Sequence, residues 1–319
     1  MEWQPVGKGL YCPAAVSRAP GDVLLLARAA VGDLVLAEWT EGGWSDPGRS
    51  DVLSAVPADW PLAACARGGG IDAFARTPDG ELLHLRGDGP GFSRVELLGA
   101  PAAISPAGVV VPLGLAGTPA ACSALADRVD VFATGETGEL LHTWNHDGEW
   151  SGFESLGVPE SRESRSVPMA GGLAACSCGP ARMGLFARGT GGDLMMNFWD
   201  GARWSGFESL GWPQVQDQTY PAVRCAAPLT GSPAACSWGA GRMDVFARGP
   251  HGDVLHKSWD GREWSPFVSW GMPGAGDRKR LASTGAISAC TWGPGRLDVF
   301  TRAVDGAIYH RVGDGSAVP

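Results

Sequence analysis

The sequence predicts an all-β fold, a six-bladed β-propeller built from four-stranded antiparallel blades. Three observations predict it. A unit of roughly fifty residues recurs along the whole chain, a period near that of propeller blades. The 319 residues include 48 Gly and 24 Pro, the punctuation of many short strands and tight turns. No segment keeps a 3.6-residue apolar period over ten or more residues, so long helices are not expected. At 44% hydrophobic residues, the chain can still bury a core.

The clearest copy is SPAACSWGAGRMDVFARGPHGDVLHKSWDGREWSPFVSWGMP, Ser232 to Pro273. Its central apolar residue sets the register of the others: Leu26, Phe74, Phe132, Phe186, Phe246 and Phe300. Their spacings run from 48 (Leu26 to Phe74) to 60 (Phe186 to Phe246). The six repeats span approximately 9–56, 57–115, 116–170, 171–230, 231–284 and 285–319 plus 1–8, in one propeller domain.

Within a unit the first strand is AACSW, closed by a GAGR turn. The second is MDVFARG, where Asp244, Phe246 and Arg248 share one face by the two-residue period. A PHGD turn leads to the third, VLHKSWD, and a short GR turn to the fourth, EWSPFVSWG. Gly beside Asp or Pro supplies the positive φ that such hairpins need. The last copy stops before a fourth strand, and the opening residues EWQPVGKG match that strand. The N-terminal strand is therefore expected to close the last blade, which leaves no free inner edge.

Residues shared by all copies are expected to pack. Cys65, Cys122, Cys176, Cys236 and Cys290 occupy one position, filled by Val16 in the first copy. A site that also takes Val suits a small buried thiol. Trp3, Trp44, Trp150, Trp204 and Trp264, with Phe92, form a second series expected to wedge between sheets. Asp72/Arg76, Asp244/Arg248 and Asp298/Arg302, four apart on one strand, are expected to form ion pairs, and a turn arginine recurs as Arg128, Arg182, Arg242 and Arg296. His84, His142, His256 and His310 exchange with Leu36 and Met196, which points to a half-buried junction.

Residues outside the repeat symmetry carry more functional information. Trp238 and Trp292 end the first strand where other copies have Arg18, Arg67, Ala124 or Cys178. Trp259, Trp270, Trp212 and Tyr220 are further aromatic additions. Two insertions, APAAISPAGVVVPLGLAG and QVQDQTYPAVRCAAPLTG, break the symmetry. The second holds Asp217, Tyr220 and Arg224 and could wall a pocket.

Composition excludes several classes. A net charge of −9 and a pI near 5.1 argue against a nucleic-acid partner, which needs a basic footprint. No apolar run is long enough to span a bilayer, and the opening residues lack the pattern of a secretory signal. The expectation is a cytoplasmic protein, or one released without a classical signal. HExxH, paired CxxC, GxSxG, Walker and strand-borne GxGxxG motifs are absent. No cofactor or metal is expected, and no residue is assigned a catalytic role.

The unit SWGxGRxDVFARGxxGxxxHxxWDGxxWSxFxSxG resembles the repeat of the PLL-like bacterial propeller lectins. Ser237–Asp260, Trp264–Gly271, Thr291–Gly306 and His310 carry the match, with blades one and two worn. The resemblance implies fucose or a related sugar bound in shallow pockets between blades. A sugar's C–H face stacks on Trp or Tyr, and its hydroxyls pair with Arg, Asp or His. The expected sugar contacts are Trp238, Trp292, Trp259, His256, Arg242 and Tyr220, with His310 and Trp270 behind them. The partner expected is a glycan or another small polar ligand, with a homo-oligomer left open. A cytosolic biosynthetic enzyme with one asymmetric site, and a protein-interaction scaffold, are the alternative functions.

Overall fold

The computed structural model describes residues 2–40, 43–88, 91–104, 110–160, 169–216, 224–274 and 280–314. Six antiparallel sheets form the blades of a closed ring. The innermost strands are Leu10–Val16, Ala63–Arg67, Ala120–Leu125, Ala174–Gly179, Ala234–Cys236 and Ser283–Gly293. Each packs against the innermost strands of both neighbouring blades. The second strands, such as Met243–Arg248, and the third, such as Val254–Trp259, follow outward. No helix long and apolar enough to cross a membrane occurs among the described residues.

The last blade is completed by Gln4–Lys8, which pairs antiparallel with Ala307–Gly313. Gln4 lies opposite His310 and Lys8 opposite Ala307, with a bulge between Pro5 and Gly7. The two insertions form separate hairpins, Ala102–Ile104 with Val110–Pro112 and Gln214–Gln216 with Arg224–Ala226. Tyr220 and Asp217 lie outside the described residues.

The expected long fourth strand is broken in most blades. In blade five only the Trp259–Trp264 bridge and the pair Val268–Ser269 remain. The reason is local. Ser265 Oγ accepts a hydrogen bond from the Ser258 amide at 3.0 Å, and Pro266 has no N–H to continue the ladder. Ser45, Ser151 and Ser205 accept the equivalent amide bond in blades one, three and four.

Six apolar clusters hold the ring, one at each junction between adjacent blades. The expected Trp wedge is there. Trp44, Trp150, Trp204 and Trp264 stand edge-on against Phe300, Phe74, Phe132 and Phe186 of the preceding blade, with ring centroids 5.6 to 6.0 Å apart. Trp3 joins the cluster between blades five and six and donates Nε1–H to the Trp270 carbonyl at 3.2 Å. The five repeated cysteines are buried free thiols, and burial pushes each thiol up from its ordinary pKa.

Candidate ligand-binding clefts between the blades

The geometry of the site begins with the hairpin of the second and third strands. Its register places Phe74, Phe132, Phe246 and Phe300 directly opposite His84, His142, His256 and His310. Each Phe–His pair stacks, with centroids 4.4 to 4.8 Å apart. Each histidine points its Nε2 at a fully buried aspartate: Asp72 at 2.7 Å, Asp130 at 3.0 Å, Asp244 at 2.8 Å and Asp298 at 2.7 Å. The histidines are 2–5% exposed, more deeply buried than the exchange with Leu and Met suggests. Blades one and four carry Leu24/Leu36 and Gly184/Met196 at these positions.

The aspartates do not pair with the arginine four residues on, as the shared face led one to expect. Four strand residues cover about 13 Å, too far for side chains standing side by side. The turn arginine two residues earlier reaches instead. Arg128, Arg242 and Arg296 bond Asp130, Asp244 and Asp298 at 2.6 to 3.0 Å. In blade two Arg67 and Arg86 do so from neighbouring strands. Burial would raise these carboxyls. Hydrogen bonds from His and Arg outweigh it and hold Asp72, Asp130 and Asp298 below the ordinary range. The later arginines staple backbone between blades: Arg76 to Leu115 O, Arg248 to Ser283 O, and Arg302 to Leu10 O.

The sequence-derived candidates divide among three junctions. Trp238, Arg242, His256 and Trp270 come together between blades five and six. There the Arg242 guanidinium lies 5.1 Å from the Trp238 ring centroid, and Trp238 Nε1 finds no hydrogen-bond partner among the described residues. Trp270 is 5% exposed and lies edge-on to Phe246 and His256 at 4.9 and 5.2 Å. Trp292 and His310 belong to the junction of blades six and one, where Arg296 stacks at 4.4 Å on Trp292. Trp39 and Trp44 of blade one cover His310 at 6.0 and 5.5 Å. Trp259 faces the other way, into the cluster between blades four and five.

A polar cleft of about 250 Å³ opens between blades two and three. Arg67, His84, Arg86, Arg94 and Glu96 line it from blade two, and Asp127, Asn145 and Asp147 from blade three. Glu96 stands opposite His84 on the outermost strand Arg94–Leu97. It faces His84 Nδ1 at 2.8 Å and accepts from Trp150 Nε1 at 3.1 Å and Arg94 at 2.6 Å. Partial burial would raise the Glu96 carboxyl, but the His84 and Trp150 bonds hold it below its ordinary range. Arg67 reaches Asp72, and its Nη1 donates to Asn145 Oδ1 across the junction. Sequence reasoning missed this cleft. Arg67 was visible at the end of a first strand, but Arg18 holds the same position in blade one, so that residue alone did not mark the cleft.

The central channel is a less promising place. It encloses about 120 Å³ and is lined by Ala, Pro, Gly, Leu, Ile, Ser and Thr, with no titratable side chain among its described lining residues. Acid–base chemistry has no group there to use.

No family model and no curated protein matches this chain. Solved structures do resemble it. The chain superposes on a fungal lectin from Aleuria aurantia, described as a six-bladed β-propeller with a novel fucose recognition mode, at a TM-score of 0.68 and 18% identity over 98% of each chain. It superposes on AofleA from Arthrobotrys oligospora at 0.67 and 16% identity, over 98% of this chain and 86% of that one. For the BP39L lectin from Burkholderia pseudomallei the values are 0.62 and 21%, over 98% and 85%. A likeness at this level of identity shows the fold, a six-bladed propeller.

Proposed function

We propose that the chain is a carbohydrate-binding propeller of lectin type, taking fucose or a related neutral sugar in a cleft between blades. The observation that carries this reading is the blade two–three cleft. Its side chains offer both donors and acceptors at close range. Three arginines face three carboxylates there, so the lining suits a neutral ligand rich in hydroxyls better than an anion. The volume lies below the roughly 300–1,000 Å³ of pockets for larger ligands and suits one sugar ring. A mutant of the Aleuria aurantia lectin has been solved with α-methyl-L-fucoside and SapL1 with α-methyl fucoside, which supports fucose as the first sugar to try. The repeat signature supports the finer assignment to PLL-like bacterial lectins.

A glycan array at high protein density, followed by titration with methyl α-L-fucoside, tests the reading. Binding is expected, and replacing the exposed lining arginine, Arg94→Ala, is expected to weaken it at least tenfold with little change in melting temperature. An array without signal and a titration without heat would overturn it.

A further inference from the structure

One register position decides which junctions can open. The third-strand residue three positions after Leu36, His84, His142, Met196, His256 or His310 lies opposite Val23, Ile71, Val129, Met183, Met243 and Leu297 in blades one to six. The residues there are Trp39, Gly87, Asn145, Trp199, Trp259 and Gly313. The three tryptophans each pack toward the preceding blade, against Trp44, Trp204 and Trp264 at 5.5 to 5.7 Å.

Where this position is glycine, another group takes the space. A Cβ on Gly313 would collide with the ring of Trp270, which has moved into the gap from blade five. A Cβ on Gly87 would collide with the Gly91 carbonyl of its own loop.

The polar Asp–His pair exists at four junctions, and each histidine has a ring beside it, Trp150 lying edge-on to His84 at 5.2 Å. At three of the four a ring also fills the register position itself, Trp39, Trp199 or, in the space beside Gly313, Trp270. Trp39 and Trp44 cover His310, and Trp270 covers His256. Trp144 lies 5.0 Å from His142 on the same blade, with Trp199 entering from the next. At the remaining junction the two corresponding positions are Arg86 and Asn145. Neither is a ring, and the 250 Å³ cleft is there.

We propose that Asn145 sets the valency of this propeller: it keeps one Asp–His junction open, so the chain takes one sugar and does not cross-link glycans. This rests on the sugar-binding reading and adds to it a number of sites and the residue responsible. Repetition of a weak site is how tandem binders gain strength, and closing the other junctions gives that up.

The test is calorimetric titration of the whole chain with methyl α-L-fucoside, with melting temperature measured in parallel. The expected stoichiometry is one sugar per chain. Asn145→Trp restores the ring found in blades one, four and five, and is expected to cost at least tenfold in affinity without lowering the melting temperature by more than a few degrees. Asn145→Leu fills the same space without a ring and gives the same expectation if the larger side chain prevents folding. Two or more sugars per chain, or undiminished binding by folded closing variants, would overturn the proposal while leaving the sugar reading intact. No heat from the unaltered chain, with an empty array, would defeat both.

Discussion

Asp298 has no solvent exposure, yet it holds Arg296 and His310 around itself. Its charge is tolerated because both partners donate to it in a place where water cannot. Removing the carboxylate alone leaves a buried histidine and an arginine uncompensated. Asp298→Ala is expected to cost about 3–5 kcal/mol, measured by denaturant unfolding. The same geometry sets an acid limit. Asp72, Asp130 and Asp298 titrate below their unfolded values. Their stabilisation is therefore present above about pH 4, the unfolded value, and is lost as pH falls through the lower folded values. An acid titration followed by circular dichroism should show this loss, and Asp298→Asn should shrink it; an unchanged profile would remove these aspartates as its source. At this scale the sequence was half legible. The Asp, the His and the turn Arg each stood out by recurrence, but the wrong arginine was matched to Asp244. Period-two patterning tells which face a side chain takes, but sharing a face is not contact: at about 3.3 Å per residue, positions four apart lie about 13 Å from each other.

The blade hairpins were the most legible elements, because alternation and turn chemistry agree there. Gly138 and Gly252 illustrate what the turns require. Both have positive φ, +84° and +81°. An added Cβ at Gly138 meets nothing within 4 Å, whereas at Gly252 it would lie 2.6 Å from Ala282 Cβ of the next blade's entry segment. Gly138→Ala is expected to cost about 1 kcal/mol, the backbone penalty alone. Gly252→Ala should cost clearly more, and equal melting temperatures for the two variants would contradict the close approach. The fourth strand was the least legible element. Its residues look like one long strand, but Ser265 turns the chain by taking the Ser258 amide. Ser265→Ala should cost about 1 kcal/mol, read from the denaturation midpoint. The blade two–three cleft was hard to read from the sequence for a related reason. Trp238, Trp292 and Trp270 attract notice as aromatic, but the open cleft is marked by the absence of a ring at Asn145. A missing side chain matters only once the register shows what stands at that position elsewhere.

At the scale of the whole molecule, closure of the ring was visible in the match between EWQPVGKG and a fourth strand. The structure pairs Gln4–Lys8 with Ala307–Gly313 and buries Trp3 at that junction. Deleting residues 2–8 should leave Ala307–Gly313 as an uncovered strand edge. The expected outcome is a lower melting temperature and self-association by light scattering; a monomer of unchanged stability would show that closure is dispensable.

That closure also sets a schedule. Gln4 leaves the ribosome about 300 residues ahead of His310, the residue it faces in the sheet. At roughly 5–20 residues per second, the opening strand waits about 15 to 60 s for its partner. During that interval it has no neighbour, while blades one to five can already form behind it. Emergence of Ala307–Gly313 is thus the step that locks the circle. A nascent chain stalled before Ala307 would carry five blades, an unmatched leading strand and no seam.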